Sequence, residues 1–359
     1  MRTNFALWTS ALALVAACDT VTPTPTSPPA KWQVIFHDND LKGAILSVWG
    51  TTKDDVWLVG AKDPVKPDNK PTALRWDGSK WNKIEVNAPG ADLWWVAGLP
   101  GGDVWMAGTQ GTIARWSRAS GTVEVQSTPE KQILFGILPV TATEIWAVGG
   151  NPACAGAACG VIWKSDGKTW APATIPAELL AKSKQWFKVS KYKDDILVVG
   201  SWSDDATPGV ILKYDGKTWS SIASGINRTL LTVHGDGSRS DVPNCFAVGG
   251  SNSGDISELQ ADGSWKKYIA GATLPMLNGV RVPTKGNPVA VGSGGAVYER
   301  KNGKWVARED LPDVFDDFHS VWIDPDGAIW AAGGQILSDP QVSGLVLRYG
   351  VGKIATQIN

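Results

Sequence analysis

The sequence predicts an all-β fold, a seven-bladed β-propeller of four-stranded antiparallel blades, and three observations predict it. A short apolar run that closes on Gly occurs seven times, its third residue recurring every 41 to 51 residues, which is the period of a propeller blade. Asp-Gly or Asn-Gly pairs followed by Trp recur late in the same units; such pairs supply the positive φ of tight hairpin turns. The third is composition: 20 Trp and 40 Gly stand against 5 Tyr and 3 His in 359 residues, a skew carried by the repeat.

Taken in chain order, Met1-Arg2 precedes an apolar stretch from Phe5 to Ala17 that is too short to span a bilayer as a helix and reads as a secretory signal over residues 1–17. It ends Val15-Ala16-Ala17-Cys18, which resembles the bacterial lipobox. The resemblance implies that Cys18 becomes the acylated N-terminus and that the protein meets a bacterial membrane through this lipid anchor only. An outer-membrane or cell-surface location is favoured over the periplasmic face of the inner membrane. Residues 18–30 are rich in Thr and Pro, cannot form a helix and have too few apolar groups to fold. As a polyproline II tether, twelve of them reach roughly 37 Å.

Residues 31–359 form a single propeller domain. Lys31-Trp32-Gln33-Val34-Ile35 resembles the fourth strands at Trp81, Trp170 and Trp219 but precedes the first full unit, so it is expected to return and complete the last blade. The segment 352–358 competes for the same slot. Within each unit a first strand, such as Ile45 to Gly50, leads into the repeated run, which is the second strand. Runs such as Val56-Trp57-Leu58-Val59-Gly60 are apolar on both faces, as a strand wedged between two neighbouring blades requires. Trp57, Trp105, Trp146 and Trp330 are therefore core residues. The closing Gly suits a place where backbones crowd, and Pro288 in the sixth run calls for a strand start. Third strands such as Ala73 to Trp76 follow, then the Asp-Gly or Asn-Gly turn and the fourth.

Across nearly all of the mature chain this pattern resembles bacterial β-propeller lipoproteins with repeated Trp-Gly and Asp-Val-Trp-Ala-Val-Gly phrases, and more distantly kelch-type and Asp-box propellers. Lys164 to Trp170 is similar to the Asp-box of sialidase-like enzymes but lacks one residue between Asp and Gly. That likeness, with the many Trp, carries the alternative reading of a carbohydrate-binding or glycoside-hydrolysing propeller. An assembly factor similar to the propeller that helps build photosystems would call for a basic patch, which a chain of net charge −1 does not advertise.

No catalytic set, cofactor motif or metal-ligand spacing stands out. The three His are scattered, and His234 and His319 fall in first strands as channel-side or core residues. Near-neutral charge without a basic stripe excludes a nucleic-acid partner. In an exported chain Cys154 and Cys159 are expected to close a loop as a disulfide, and Cys245 is expected to be a buried thiol. Loops that depart from a repeat do the binding while the repeat holds them. Here those loops run from second to third strands and from fourth to first, on one face. Trp94, Trp186, Trp202, Asp204, Asn278 and His319 are the candidate ligand-binding residues near it. The predicted function is non-enzymatic: a monomer that binds an envelope protein or an extracellular glycan through its loop-rich face.

Overall fold

The computed structural model describes residues 28–37, 40–66, 68–151, 154, 158–202 and 209–358, the side chain of Trp202 excepted. The expected signal segment, Cys18, most of the tether and Asp204 lie outside the described residues. Seven four-stranded antiparallel sheets follow one another around a ring, each first strand packed against the next and the seventh against the first. Blades 1 to 7 take their first strands from Ile45–Thr52, Leu93–Gly98, Ile133–Thr141, Ser183–Tyr192, Leu230–Gly235, Leu277–Arg281 and Asp317–Ile323. Blade 7 is completed by Lys31–Phe36, paired antiparallel with Val342–Gly350, as the likeness of that segment to the fourth strands implies. Residues 352–358 stay outside the sheet and cross the seam instead. Gln33 Nε2 donates to the Ile354 carbonyl (2.6 Å), and Trp81 Nε1 in blade 1 donates to that of Ala355 (3.0 Å). The tail thus clasps the first and last blades where the ring closes.

The repeat resolves into one backbone device that the sequence did not disclose. In every blade the closing Gly of the second strand pairs with a first-strand residue, here termed the lead residue: Ile45, Leu93, Leu134, Trp186, Leu230, Leu277 and Phe318. The register slips immediately afterwards, leaving one extra residue on the first strand, a β-bulge. The bulge residues are Leu46, Trp94, Phe135, Phe187, Leu231, Asn278 and His319. The carbonyl before each lead residue turns toward the closing Gly, so a Cβ on Gly60, Gly108, Gly149, Gly200, Gly249, Gly292 or Gly333 would lie 1.8 to 2.1 Å from that oxygen. Space, not φ, demands glycine here. Pro288 sits just before the strand Val289–Gly292, the strand-start position that its ring tolerates.

Between blades, tryptophans stitch each sheet to its neighbour. Trp57, Trp105, Trp146 and Trp330 are at most 3% exposed. The fourth-strand Trp of one blade packs on the second-strand aromatic ring of the blade before it. Trp81 lies 6.3 Å from Trp330, Trp170 6.1 Å from Trp105, Trp219 5.7 Å from Trp146 and Trp305 5.3 Å from Phe246, centre to centre and edge to face, the geometry that ring quadrupoles favour. Blade 2 lacks a fourth-strand Trp, and Trp116 of its third strand replaces it against Trp57 (4.9 Å). Opposite each second-strand Trp on the third strand stands a cation: Arg75 on Trp57, Arg115 on Trp105, Lys164 on Trp146 and Arg348 on Trp330. Asp55, Asp103 and Glu144 hold the first three by ion pairs of 2.9, 3.3 and 2.8 Å. In these three blades the acid that opens the run therefore positions the cation over the ring.

The hairpin signals also have a mechanism. Asp166 Oδ1 accepts the N–H groups of Lys168 (2.9 Å) and Thr169 (2.8 Å), Asp215 does the same for Lys217 and Thr218, and Gly167 and Gly216 hold φ near 90°. The Asp-box-like segment is thus a structural turn in this ring.

Candidate functional site

The second-to-third connections and the fourth-to-first connections share one face and are laced together across blade boundaries. Lys62 Nζ reaches Asp92 Oδ1 (3.2 Å). The N–H groups of Cys159, Gly254 and Gly344 donate to the carbonyls of Ser183, Leu274 and Leu41 at 2.8 to 2.9 Å. The Cys154–Cys159 disulfide is formed, Cα atoms 6.1 Å apart, and ties the connection of blade 3. Cys245 is buried, and burial pushes its thiol pKa up. On this rigid face stand the four most exposed large apolar side chains among the described residues: Phe315 (85%), Ile269 (79%), Leu337 (76%) and Val65 (74%). Val65 and Leu337 come from second-to-third connections, Ile269 and Phe315 from fourth-to-first connections, and three of the four border blades 7 and 1.

Where this face meets the ring axis, bulge residues close over the central channel. Phe187 packs on Phe135 (5.2 Å), Phe135 on Trp94 (5.1 Å) and Trp94 on His319 (5.5 Å). Trp94 and His319 belong to blades 2 and 7, which are not neighbours, so their contact passes in front of blade 1. His319 Nδ1 faces the Leu46 carbonyl and must donate to it. Desolvation, with the nearby Lys188 charge, pushes its pKa down to about 3, so the ring is neutral at physiological pH. Asn278 Nδ2 donates to the Phe318 carbonyl (2.8 Å), and the Asn278 carbonyl accepts the Thr232 hydroxyl (2.6 Å).

Three of the residues singled out in the sequence, Trp94, Asn278 and His319, therefore gather at one end of the channel because all are bulge residues. Trp186 does not join them. It is a lead residue, one position earlier, and lies 1% exposed in the core between blades 3 and 4. Asp204 and the Trp202 side chain are outside the described residues.

Below the bulge the channel widens into a cavity of about 230 Å³. Its wall includes the same position of all seven first strands, Val48, Val96, Ile137, Val189, Val233, Val280 and Val321, each at most 5% exposed. Into the cavity project Lys188, His234 and Arg281 from blades 4, 5 and 6. Lys188 is 3% exposed. Its Nζ donates to the Phe135 carbonyl (2.8 Å) and sits 4.3 Å above the Trp95 ring of blade 2. Desolvation pushes its pKa down to about 7. His234 Nδ1 accepts the Val282 N–H (3.2 Å), which places its proton on Nε2, and burial first, then the Arg281 charge, keeps it neutral. Burial lowers Arg281 to about 10, still far above neutral pH, so the guanidinium stays charged. Sequence reading did not single out Lys188 or Arg281, and no local signal marks them: Lys188 shares its strand with Lys184 and Lys191, and Arg281 stands at the end of Leu277–Arg281.

No protein-family profile and no curated protein sequence matches this chain. Solved structures do match in fold. A streptogramin B lyase aligns over 90% of this chain and 98% of its own with a TM-score of 0.65 and 12% identity. YCF48 bound to a D1 peptide aligns over 91% and 100% with a TM-score of 0.61 and 14% identity. The WD40 propeller of Doa1 aligns over 88% and 96% with a TM-score of 0.60 and 12% identity. At such identities the likeness is one of architecture, and propellers host unrelated activities.

Proposed function

We propose that this protein is a non-enzymatic binding propeller, held at a bacterial envelope by a lipid on Cys18 and a Thr/Pro tether, that docks an envelope protein through its loop face. One observation carries the reading: Val65, Ile269, Phe315 and Leu337, the most exposed apolar side chains, all stand on that face. Large apolar side chains exposed on connections that a rigid scaffold holds support an interaction surface, and aromatic anchors dominate protein contacts. Among the fold's neighbours, YCF48 bound to a D1 peptide fits a peptide-binding role. The Trp-rich repeat and the Asp-box likeness support a second reading, recognition of an extracellular glycan.

Immobilised full-length protein is expected to capture a defined species from envelope extract. Capture should disappear when the extract is digested with protease and fall roughly tenfold or more in the Phe315→Ser, Leu337→Ser double variant, a loss of about 1.4 kcal/mol or greater. Undiminished capture by the double variant contradicts the face assignment, and competition by soluble sugar establishes the glycan reading instead. In the same cells Cys18→Ser should abolish fatty-acid labelling and release the protein from the membrane fraction; persistent labelling would remove the anchor from the proposal.

A further inference from the structure

We infer that the channel cavity is a binding site for a small organic carboxylate with an apolar body, reached from the face opposite the loops. The cavity wall is divided. Blades 4, 5 and 6 present Lys188, His234 and Arg281, while blades 1 and 2 present Trp49 and Trp95, with the Val/Ile belt completing the circuit. Lys191 adds a fourth basic side chain to the lining, and no Asp or Glu is among the residues that form it. No carboxylate within the cavity pairs with these groups, and the acidic charge that acts on Arg281 is that of Asp236 in the adjoining mouth, so the cavity itself favours an anion.

The donors are free to act. The Arg281 side chain makes no hydrogen bond or ion pair among the described residues, while Lys188 Nζ is engaged only by a neutral carbonyl and the Trp95 ring face. His234, with Nδ1 occupied by the Val282 N–H, offers Nε2–H as a third donor. A planar guanidinium beside an imidazole N–H suits the two oxygens of a carboxylate. Trp49 and Trp95 supply surface for an aromatic or aliphatic body, and about 230 Å³ limits that body to a small molecule.

Access follows from the second cavity, of about 480 Å³, which shares His234 and Arg281 with the first and is lined by the first-to-second-strand turns at Pro100, Pro283 and Pro325. Asp236 and Asp324 at this mouth are already engaged. Asp236 accepts the N–H and hydroxyl of Ser238, and Asp324 accepts the Ala328 N–H. The site is independent of the loop face, so failure of one assignment leaves the other standing.

Calorimetric titration of the full-length protein with phenylacetate tests this, with phenylacetamide as the neutral isostere. Saturable millimolar binding of phenylacetate is expected, with phenylacetamide at least tenfold weaker. Arg281→Met should weaken phenylacetate roughly tenfold or more while Arg281→Lys, which keeps the charge, loses less. His234→Gln, which preserves an acceptor and a donor, should bind better than His234→Leu. Melting curves of all four variants establish that they are folded. Absence of saturable binding, equal binding of the amide, or indifference to Arg281→Met overturns the proposal. Tighter binding of inorganic phosphate overturns the apolar-body requirement, and tighter binding of a short peptide with a free C-terminal Phe overturns the assignment to a small molecule in favour of a chain terminus.

Discussion

Gly149→Ala is expected to destabilise the protein by more than about 4 kcal/mol, the range reserved for backbone clashes that no side-chain adjustment relieves. The new Cβ would lie 1.9 Å from the Ile133 carbonyl oxygen and 2.9 Å from the Leu134 Cα. Relief requires the bulge at Phe135 to open. That movement would shift Phe135, which carries the ring chain to Trp94 and whose carbonyl receives Lys188. Urea denaturation against Gly271→Ala isolates the cause. Gly271 has nothing within 4 Å of the equivalent position and no positive φ, so alanine there should be neutral or stabilising by about 0.5 kcal/mol. Equal midpoints for the two variants would show that the close approach places no demand on the second strand.

Lys188→Met is expected to act in the opposite direction and to depend on pH. The lysine has its ordinary pKa of 10.5 when unfolded and is pushed down to about 7 in the ring. Between those values the unfolded chain binds the extra proton, so native stability rises with pH across that window, and below about pH 7 the full penalty is present. Methionine removes the titrating group and fills the same volume with apolar atoms. The variant should therefore be more stable by about 3 kcal/mol at pH 6, a figure set below the full shift because the Phe135 carbonyl and Trp95 ring offset part of the desolvation. The advantage should shrink steadily as pH rises toward 10. Denaturation midpoints from pH 6 to 10 check this. A gap that does not change with pH would mean that the ammonium is as well solvated in the ring as outside it. If the cavity binds a carboxylate, saturating ligand should narrow the same gap, since it stabilises only the wild-type charge arrangement.

The sequence declared the ring through features that act within a single repeat. The second-strand runs are apolar on both faces because each blade is covered twice, and Asp-Gly turns declare themselves because only certain residues reach positive φ. Even the return of Lys31–Phe36 to blade 7 was legible, since Trp32 to Ile35 shares a Trp-x-x-Ile pattern with the outer strands at Trp81 to Ile84 and Trp219 to Ile222. What could not be read was register. A bulge is a backbone event, and its seven residues, from Leu46 through Asn278 to His319, share no side-chain type. Trp186 and Phe187 are adjacent aromatics in the chain, yet one is sealed in a sheet core and the other reaches the axis, solely because the bulge falls between them. The basic wall was equally hidden. Lys188, His234 and Arg281 lie on three successive repeats and reach one channel only when the blades stack, so no local spacing announces them.

The loop face carries the functional reading, and photo-crosslinking in living cells tests it most directly. A photoreactive side chain would be placed in the full-length protein at Phe315, at Pro283 beside the opposite channel mouth, and at Val306, an exposed outer-strand position. A discrete, protease-sensitive adduct from Phe315, with none from Pro283 or Val306, is the expected result. An adduct from Pro283 without one from Phe315 would contradict the account and move the partner to the face that opens into the channel.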